Sequence, residues 1–140
     1  MTAKEFLRRA RTIDRRVDEL TERVERIRSR LESGRMSSVT GMPRGGAKDW
    51  TETANLLLEL ERRLNSRTRE LVRLKLAAID AIDAVEEDRL REVLELYYID
   101  GFTWEQVAQR MGYKDVRWVQ ELHGRALYKV RVPEKMGASL

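Results

Sequence analysis

Thr103-Trp104-Glu105-Gln106-Val107-Ala108-Gln109-Arg110-Met111-Gly112-Tyr113-Lys114-Asp115-Val116-Arg117-Trp118-Val119-Gln120-Glu121-Leu122 holds two helix starts separated by one turn. Thr103 followed by Gln106 is a capping box, in which the threonine oxygen accepts from an early backbone N–H and the glutamine reaches back. The short helix it opens carries Val107, Ala108 and Met111 inward. Gly112-Tyr113-Lys114 reads as a turn, because glycine takes the left-handed conformation without steric cost. Asp115 then caps a longer helix with Val119, Leu122, Ala126, Leu127 and Val130 on its apolar side. A short helix, a glycine turn and a longer basic helix predict a helix-turn-helix, with the small Ala108 at the crossing. The generic alternative is a three-helix bundle with no nucleic-acid role.

With about 100° per residue and Val119 at the buried centre, Leu122, Ala126 and Val130 lie within about 60° of it. Arg117, Glu121, Gly124 and Tyr128 fall near the opposite pole, flanked by Gln120 and Arg125. If that face enters a major groove, Arg117 and Gln120 are the best base readers, since Arg is bidentate to guanine and Gln to adenine. Glu121 either accepts from cytosine N4 or balances Arg117 or Arg125 in an intrahelical pair. Lys114, Arg125, Lys129 and Arg131 are candidates for phosphate contacts, which supply affinity rather than sequence choice. Gly124 costs about 1 kcal/mol relative to Ala in mid-helix, so it marks either close approach to DNA or another helix, or a tolerated weak spot. Trp104 and Trp118 read as packing residues, because buried area is what tryptophan usually contributes. His123, near the apolar face, reads as a packed or capping imidazole rather than a ligand.

Just upstream, Asp88 to Tyr98 repeats apolar residues at Leu90, Val93, Leu94 and Tyr97, a one-faced helix that Asp100-Gly101 breaks. Leu96-Tyr97-Tyr98-Ile99-Asp100-Gly101-Phe102-Thr103-Trp104-Glu105-Gln106-Val107-Ala108 and Val119-Gln120-Glu121-Leu122-His123-Gly124-Arg125-Ala126-Leu127 resemble the fourth region of sigma-70-type factors. That region docks its last helix in the major groove of promoter DNA. The chain is also similar to a family of small phage and prophage proteins with this C-terminal signature. In those, a coiled-coil half containing a Ser/Thr-Met-Pro-Gly loop comes first, as Ser37 to Gly46 does here. The family resembles late-operon regulators of the ArpU and RinA kind. The resemblance is strong over 85–127 and loose before that. It implies a phage-encoded, sequence-specific transcriptional regulator that binds double-stranded DNA in the cytoplasm of a bacterial host. The stretch from Gly112 to Val119 is one position longer than in sigma factors; Asp115 in the capping role usually held by Ser restores the register.

The N-terminal half reads differently. Phe6, Ala10, Ile13, Val17, Leu20, Val24, Ile27 and Leu31 alternate in steps of four and three, the heptad spacing of a left-handed coiled coil. Ser33-Gly34 supplies the expected stop. Residues 34–48 read as a loop, mobile or ordered by a partner, whose three positive charges and glycines permit phosphate contact; the plainer alternative is a connector with no such role. Asp49 with Glu52 forms a second capping-box pattern, and a helix follows to about Val85. Its seam is Trp50, Leu57, Leu60, Leu64, Leu71, Leu74, Ala78, Ala81 and Val85, with Thr53 and Arg67 as weaker members. The expected architecture is all-α: a long antiparallel coiled-coil hairpin over 1–85, the helix-turn-helix domain over 86–131 and a flexible tail over 132–140. Leu56, Leu58, Val72, Leu76, Ile79 and Ile82 form a second apolar strip that one partner helix cannot cover. Either the C-terminal domain or another subunit packs there; a homo-oligomer, a dimer above all, buries more of a thin two-helix core.

Composition narrows the classes. At 140 residues the chain is too short for a Rossmann enzyme or a TIM barrel. It has no cysteine and one histidine, which removes disulfides, thiol nucleophiles and the usual zinc sites. No carboxylate pair, nucleophile with base or phosphate loop stands out, so neither an enzyme, nor a cofactor, nor a metal is expected. No apolar run reaches the ~20 residues of a membrane span, and the N-terminus lacks a signal-peptide core, which predicts a cytoplasmic protein without a membrane partner. The net charge of +4 hides local imbalance: 83–100 holds seven acidic and two basic residues, and 101–140 holds seven basic and four acidic. In a sigma-like role the acidic stretch faces a basic patch of RNA polymerase. Two competing readings are a small-terminase-like packaging component and an interaction module that no longer binds DNA. A ring of subunits favours packaging and a dimer favours transcription.

Overall fold

The computed structural model describes residues 1–40 and 46–134, with side chains described for 1–33 and 50–134. All regular structure among the described residues is helical: α1 Ala3–Thr40, α2 Gly46–Asp83, α3 Asp88–Leu94, α4 Trp104–Met111 and α5 Val116–Lys129. A π-helical turn, Glu95–Ile99, continues α3. No helix among these residues is long and apolar enough to cross a membrane.

α1 opens on a capping box that the heptad spacing does not announce. Thr2 N donates to Glu5 Oε2 and Glu5 N to Thr2 Oγ1, both at 3.2 Å. The heptad residues Phe6, Ala10, Ile13, Leu20, Val24, Ile27 and Leu31 are all buried, and Val17 is half-buried. α1 does not stop at Ser33-Gly34 but runs to Thr40, and α2 starts at Gly46 rather than behind an Asp49 cap. One glycine costs about 1 kcal/mol in a helix, too little to end a long one, and no proline intervenes before Pro43. Ala47 and Lys48 are good helix formers, which carries α2 upstream of Asp49. Residues 34–40 and 46–48 of the expected loop are thus helical; 41–45 lie outside the described residues, as do the Asp49 side chain and the 135–140 part of the tail.

The chain packs as two compact units. One is Arg15–Leu71. Its buried side chains are Leu20, Val24, Ile27 and Leu31 of α1 and Leu71 of α2. Arg28 of α1 donates from Nε to Glu61 Oε1 of α2 at 2.9 Å, and Glu59 takes Arg62 and Arg63 on the surface of α2. Leu56, Leu58 and Leu60 are exposed, Leu60 despite its place on the heptad seam.

The other unit joins Met1–Asp14 to Val72–Leu140. Here Leu7, which lies off the heptad seam, is as fully buried as Phe6, and Ile82 of the second α2 strip is fully buried too. Val72 and Leu76 of that strip stay exposed. α5 packs on α3 and α4 around Val93, Val107, Ala108 and Val119, with Leu96, Phe102, Met111, Val116 and Leu122 closing the cluster. Lys75 of α2 ion-pairs with Asp14 of α1 and donates to the Ile99 carbonyl at 3.4 Å.

Candidate functional site

The site is built from the α4–turn–α5 segment. Thr103 Oγ1 accepts from Gln106 N while Gln106 Oε1 accepts from Thr103 N, at 3.2 and 2.9 Å, so the expected capping box is present. α4 ends at Gly112, whose φ of 80° is left-handed, and Tyr113 N folds back to the Ala108 carbonyl at 2.8 Å. Asp115 then caps α5 by accepting from Arg117 N at 2.9 Å. Its other oxygen accepts from the Arg117 guanidinium. The Arg117 backbone N–H, followed by the Arg117 side chain, holds the Asp115 carboxyl below its ordinary range.

α5 turns Val119 and Ala126 inward, both fully buried. The nine residues that the helical wheel and the charge pattern single out, Lys114, Arg117, Gln120, Glu121, Gly124, Arg125, Tyr128, Lys129 and Arg131, are all exposed. Lys114 stands in the turn before α5, and Arg131 lies just past its end at Lys129. Three of the basic groups have acidic neighbours: Arg117 with Asp115, Arg125 with Glu121 at 3.2 Å, and Lys129 with Glu87 at 3.5 Å. Exposed pairs of this kind contribute about 0–1 kcal/mol, so an incoming anion exchanges with the carboxylates at little cost. Of the two roles open to Glu121, the intrahelical pair with Arg125 is the one made in the free chain. A Cβ built on Gly124 meets no atom within 4 Å, so no other part of the described chain approaches it closely.

Trp118 departs from the packing role expected of it. It is 60% exposed in the first turn of α5, and Tyr128 is 92% exposed. The signal was in the wheel: Trp118 sits about 100° from Val119, at the edge of the apolar arc. Trp104 does pack. Its ring stacks on Tyr97 at 3.8 Å and 10°, and His123 meets it edge-on at 4.8 Å.

His123 is the packed imidazole that its position predicts. Its Nε2 shares a 2.5 Å hydrogen bond with the Tyr98 hydroxyl. Burial, then the Lys4 and Arg8 cations, push the His123 pKa down to about 4, so the ring is neutral at neutral pH. Burial, followed by Tyr97, pushes Tyr98 up to about 12. Beneath them, Arg11 of α1 lies over the Tyr97 ring at 4.0 Å and donates to the Tyr97 carbonyl at 3.0 Å. Tyr113 in the turn is tied back to α3 by a hydrogen bond from Arg89.

Among the described residues no group of three or more His, Asp or Glu side chains is disposed to hold a metal ion. No protein-family model matches the chain, and no curated protein or solved structure is significantly similar to it.

Proposed function

We propose that this chain is a sequence-specific DNA-binding regulator of transcription, of the phage late-operon kind, in which α4, the Gly112 turn and α5 form a sigma-region-4-like helix-turn-helix. The observation that carries this reading is the division of α5. Val119 and Ala126 anchor it on α3 and α4, and the opposite face offers Arg117, Gln120, Glu121, Arg125 and Tyr128 to solvent. The first turn, where a recognition helix reads bases, holds Arg117 with its guanidinium already positioned by Asp115. Lys114, Lys129 and Arg131 bracket the helix at its two ends, suited to phosphates of the strands on either side.

In this reading α1 and α2 pair as an antiparallel coiled-coil hairpin. Each compact unit supports it separately, through Asp14 with Lys75 in one and Arg28 with Glu61 in the other. The exposed Leu56, Leu58 and Leu60 are apolar surface that a second subunit would cover, making a dimer that presents two α5 helices to DNA.

Selection of bound fragments from a random DNA pool, using the full chain, tests the function, with light scattering for the mass. A recurrent site bound by a dimer is the expected result. Absence of any enriched sequence, or a ring of about eight or more subunits of the packaging type, contradicts it.

A further inference from the structure

Val72, Leu76, Ile79 and Asp83 recur at heptad spacing and share one side of α2. Val72 and Leu76 are 43% and 55% exposed, and Ile79 is half-buried. This stripe leads into a shallow groove lined by Ile79, Ile82, Asp83, Glu95, Ile99 and Asp100. Of these, Ile82 is fully buried, Ile79, Ile99 and Glu95 are half-buried, and Asp83 and Asp100 are exposed, which gives the groove an apolar floor and an acidic rim. Nothing in these observations draws on the DNA-binding reading, and α5 contributes no residue to the groove.

The rim is more acidic than its cations offset. Burial raises the Glu95 carboxyl above its ordinary range; Arg91 opposes this, and the charges of Asp83, Asp100 and Glu92 add to it. Arg91, 3.7 Å from Glu95, is shared with Asp88, and Lys75 is engaged by Asp14 and the Ile99 carbonyl. The surrounding stretch 83–100 holds seven acidic and two basic residues.

We infer that the Val72–Leu76 stripe and the acidic-rimmed groove are a docking site for a basic amphipathic helix of a partner protein. Its apolar side chains rest on Val72, Leu76 and the isoleucine floor, and its Lys or Arg groups meet Asp83, Glu95 and Asp100. A straight stripe spanning three helical turns matches the anchor spacing of a helix laid in a groove. Opposite charge at the groove end of the stripe fixes the direction in which that helix lies. A two-fold contact centred on the groove sets two acidic rims against each other, which disfavours a second copy of this chain as the occupant.

Fluorescence anisotropy with the full chain tests this. The probe is a labelled synthetic helical peptide of about 18 residues with leucines at heptad spacing flanked by lysines, and its counterpart with glutamate for lysine. The lysine peptide is expected to bind saturably, and the glutamate peptide at least about 10-fold more weakly. Leu76→Glu, and separately Asp83→Lys with Asp100→Lys, are each expected to weaken the lysine peptide by about 10-fold or more. Gln109→Glu, at an exposed position of α4 that lines no part of the groove, leaves it unchanged. All of these positions are exposed, and unchanged thermal melting verifies that the variants fold. Equal binding of both peptides, or no saturable binding, overturns the proposal. So does Leu76→Glu lowering the oligomer mass while peptide binding stays the same, which makes a second copy the occupant.

Discussion

The guanidinium of Arg11 lies 4.0 Å over the ring of Tyr97 and donates to that residue's own carbonyl at 3.0 Å. Tyr97 belongs to the π-helical turn that ends α3, where Asp100 N reaches back to the Glu95 carbonyl at 2.9 Å and Phe102 N to that of Leu96. A helix end leaves carbonyls unpaired and carries partial negative charge, so a cation placed there satisfies both. Arg11 supplies it for Tyr97 and Lys75 for Ile99. The first turns of α1 and the last turns of α2 thereby become part of the platform under α4 and α5.

Removing Arg11 should therefore destabilise the C-terminal helices although it is far from them in sequence. Arg11→Ala is expected to lower stability in urea by about 1–3 kcal/mol, the combined loss of a charged hydrogen bond and a cation–π contact. Arg11→Lys keeps the charge but not the planar stack and should fall between the two. An unchanged urea midpoint in Arg11→Ala would show that the contact contributes nothing.

The two C-terminal tryptophans should behave oppositely. Trp104, stacked between Tyr97 and His123, is expected to cost about 3 kcal/mol on substitution by Ala. Trp118, 60% exposed, should change stability by no more than about 0.5 kcal/mol. Thermal melts of the two variants separate them, and equal losses would contradict the placement of Trp118 on the outer face.

His123 gives a pH dependence with a definite sign. Its pKa is lowered in the folded chain to about 4 from 6.5, so the unfolded chain binds the extra proton more readily. Its contribution to stability is complete above about pH 6.5 and is lost progressively as pH falls toward 4. His123→Gln removes the titration, so its melting temperature should vary less across that window than that of the wild type. Parallel profiles would place the acid sensitivity elsewhere.

Much of this was legible because local rules are short-ranged. The Thr103–Gln106 box, the left-handed Gly112 and the Asp115 cap are each settled within a few residues, and the structure has all three. Heptad spacing identified most of the buried side of α1, because a long helix packed along one partner buries a periodic stripe. What escaped depends on neighbours distant in the chain. Leu7 is buried only because α1 begins inside the unit that holds the C-terminal helices, and Arg11 finds Tyr97 for the same reason. The stop at Gly34 failed because a helix already long enough absorbs the cost of one glycine. At the site, the nine residues that the wheel and the charge pattern single out are all exposed, whereas the packing role expected of Trp118 rests on residue type and runs against its angle on the wheel.

The central claim, that the outer face of α5 reads DNA, is tested most directly by comparing Arg117→Ala and Lys129→Ala on a selected site and on random DNA over a range of salt. Both residues are exposed, so neither change should unfold the chain. Arg117→Ala is expected to weaken the selected site by about 1–3 kcal/mol and random DNA much less. Lys129→Ala should weaken both alike and reduce the salt slope by about 1. Equal losses on both DNAs from both variants, or no loss from either, would contradict the account.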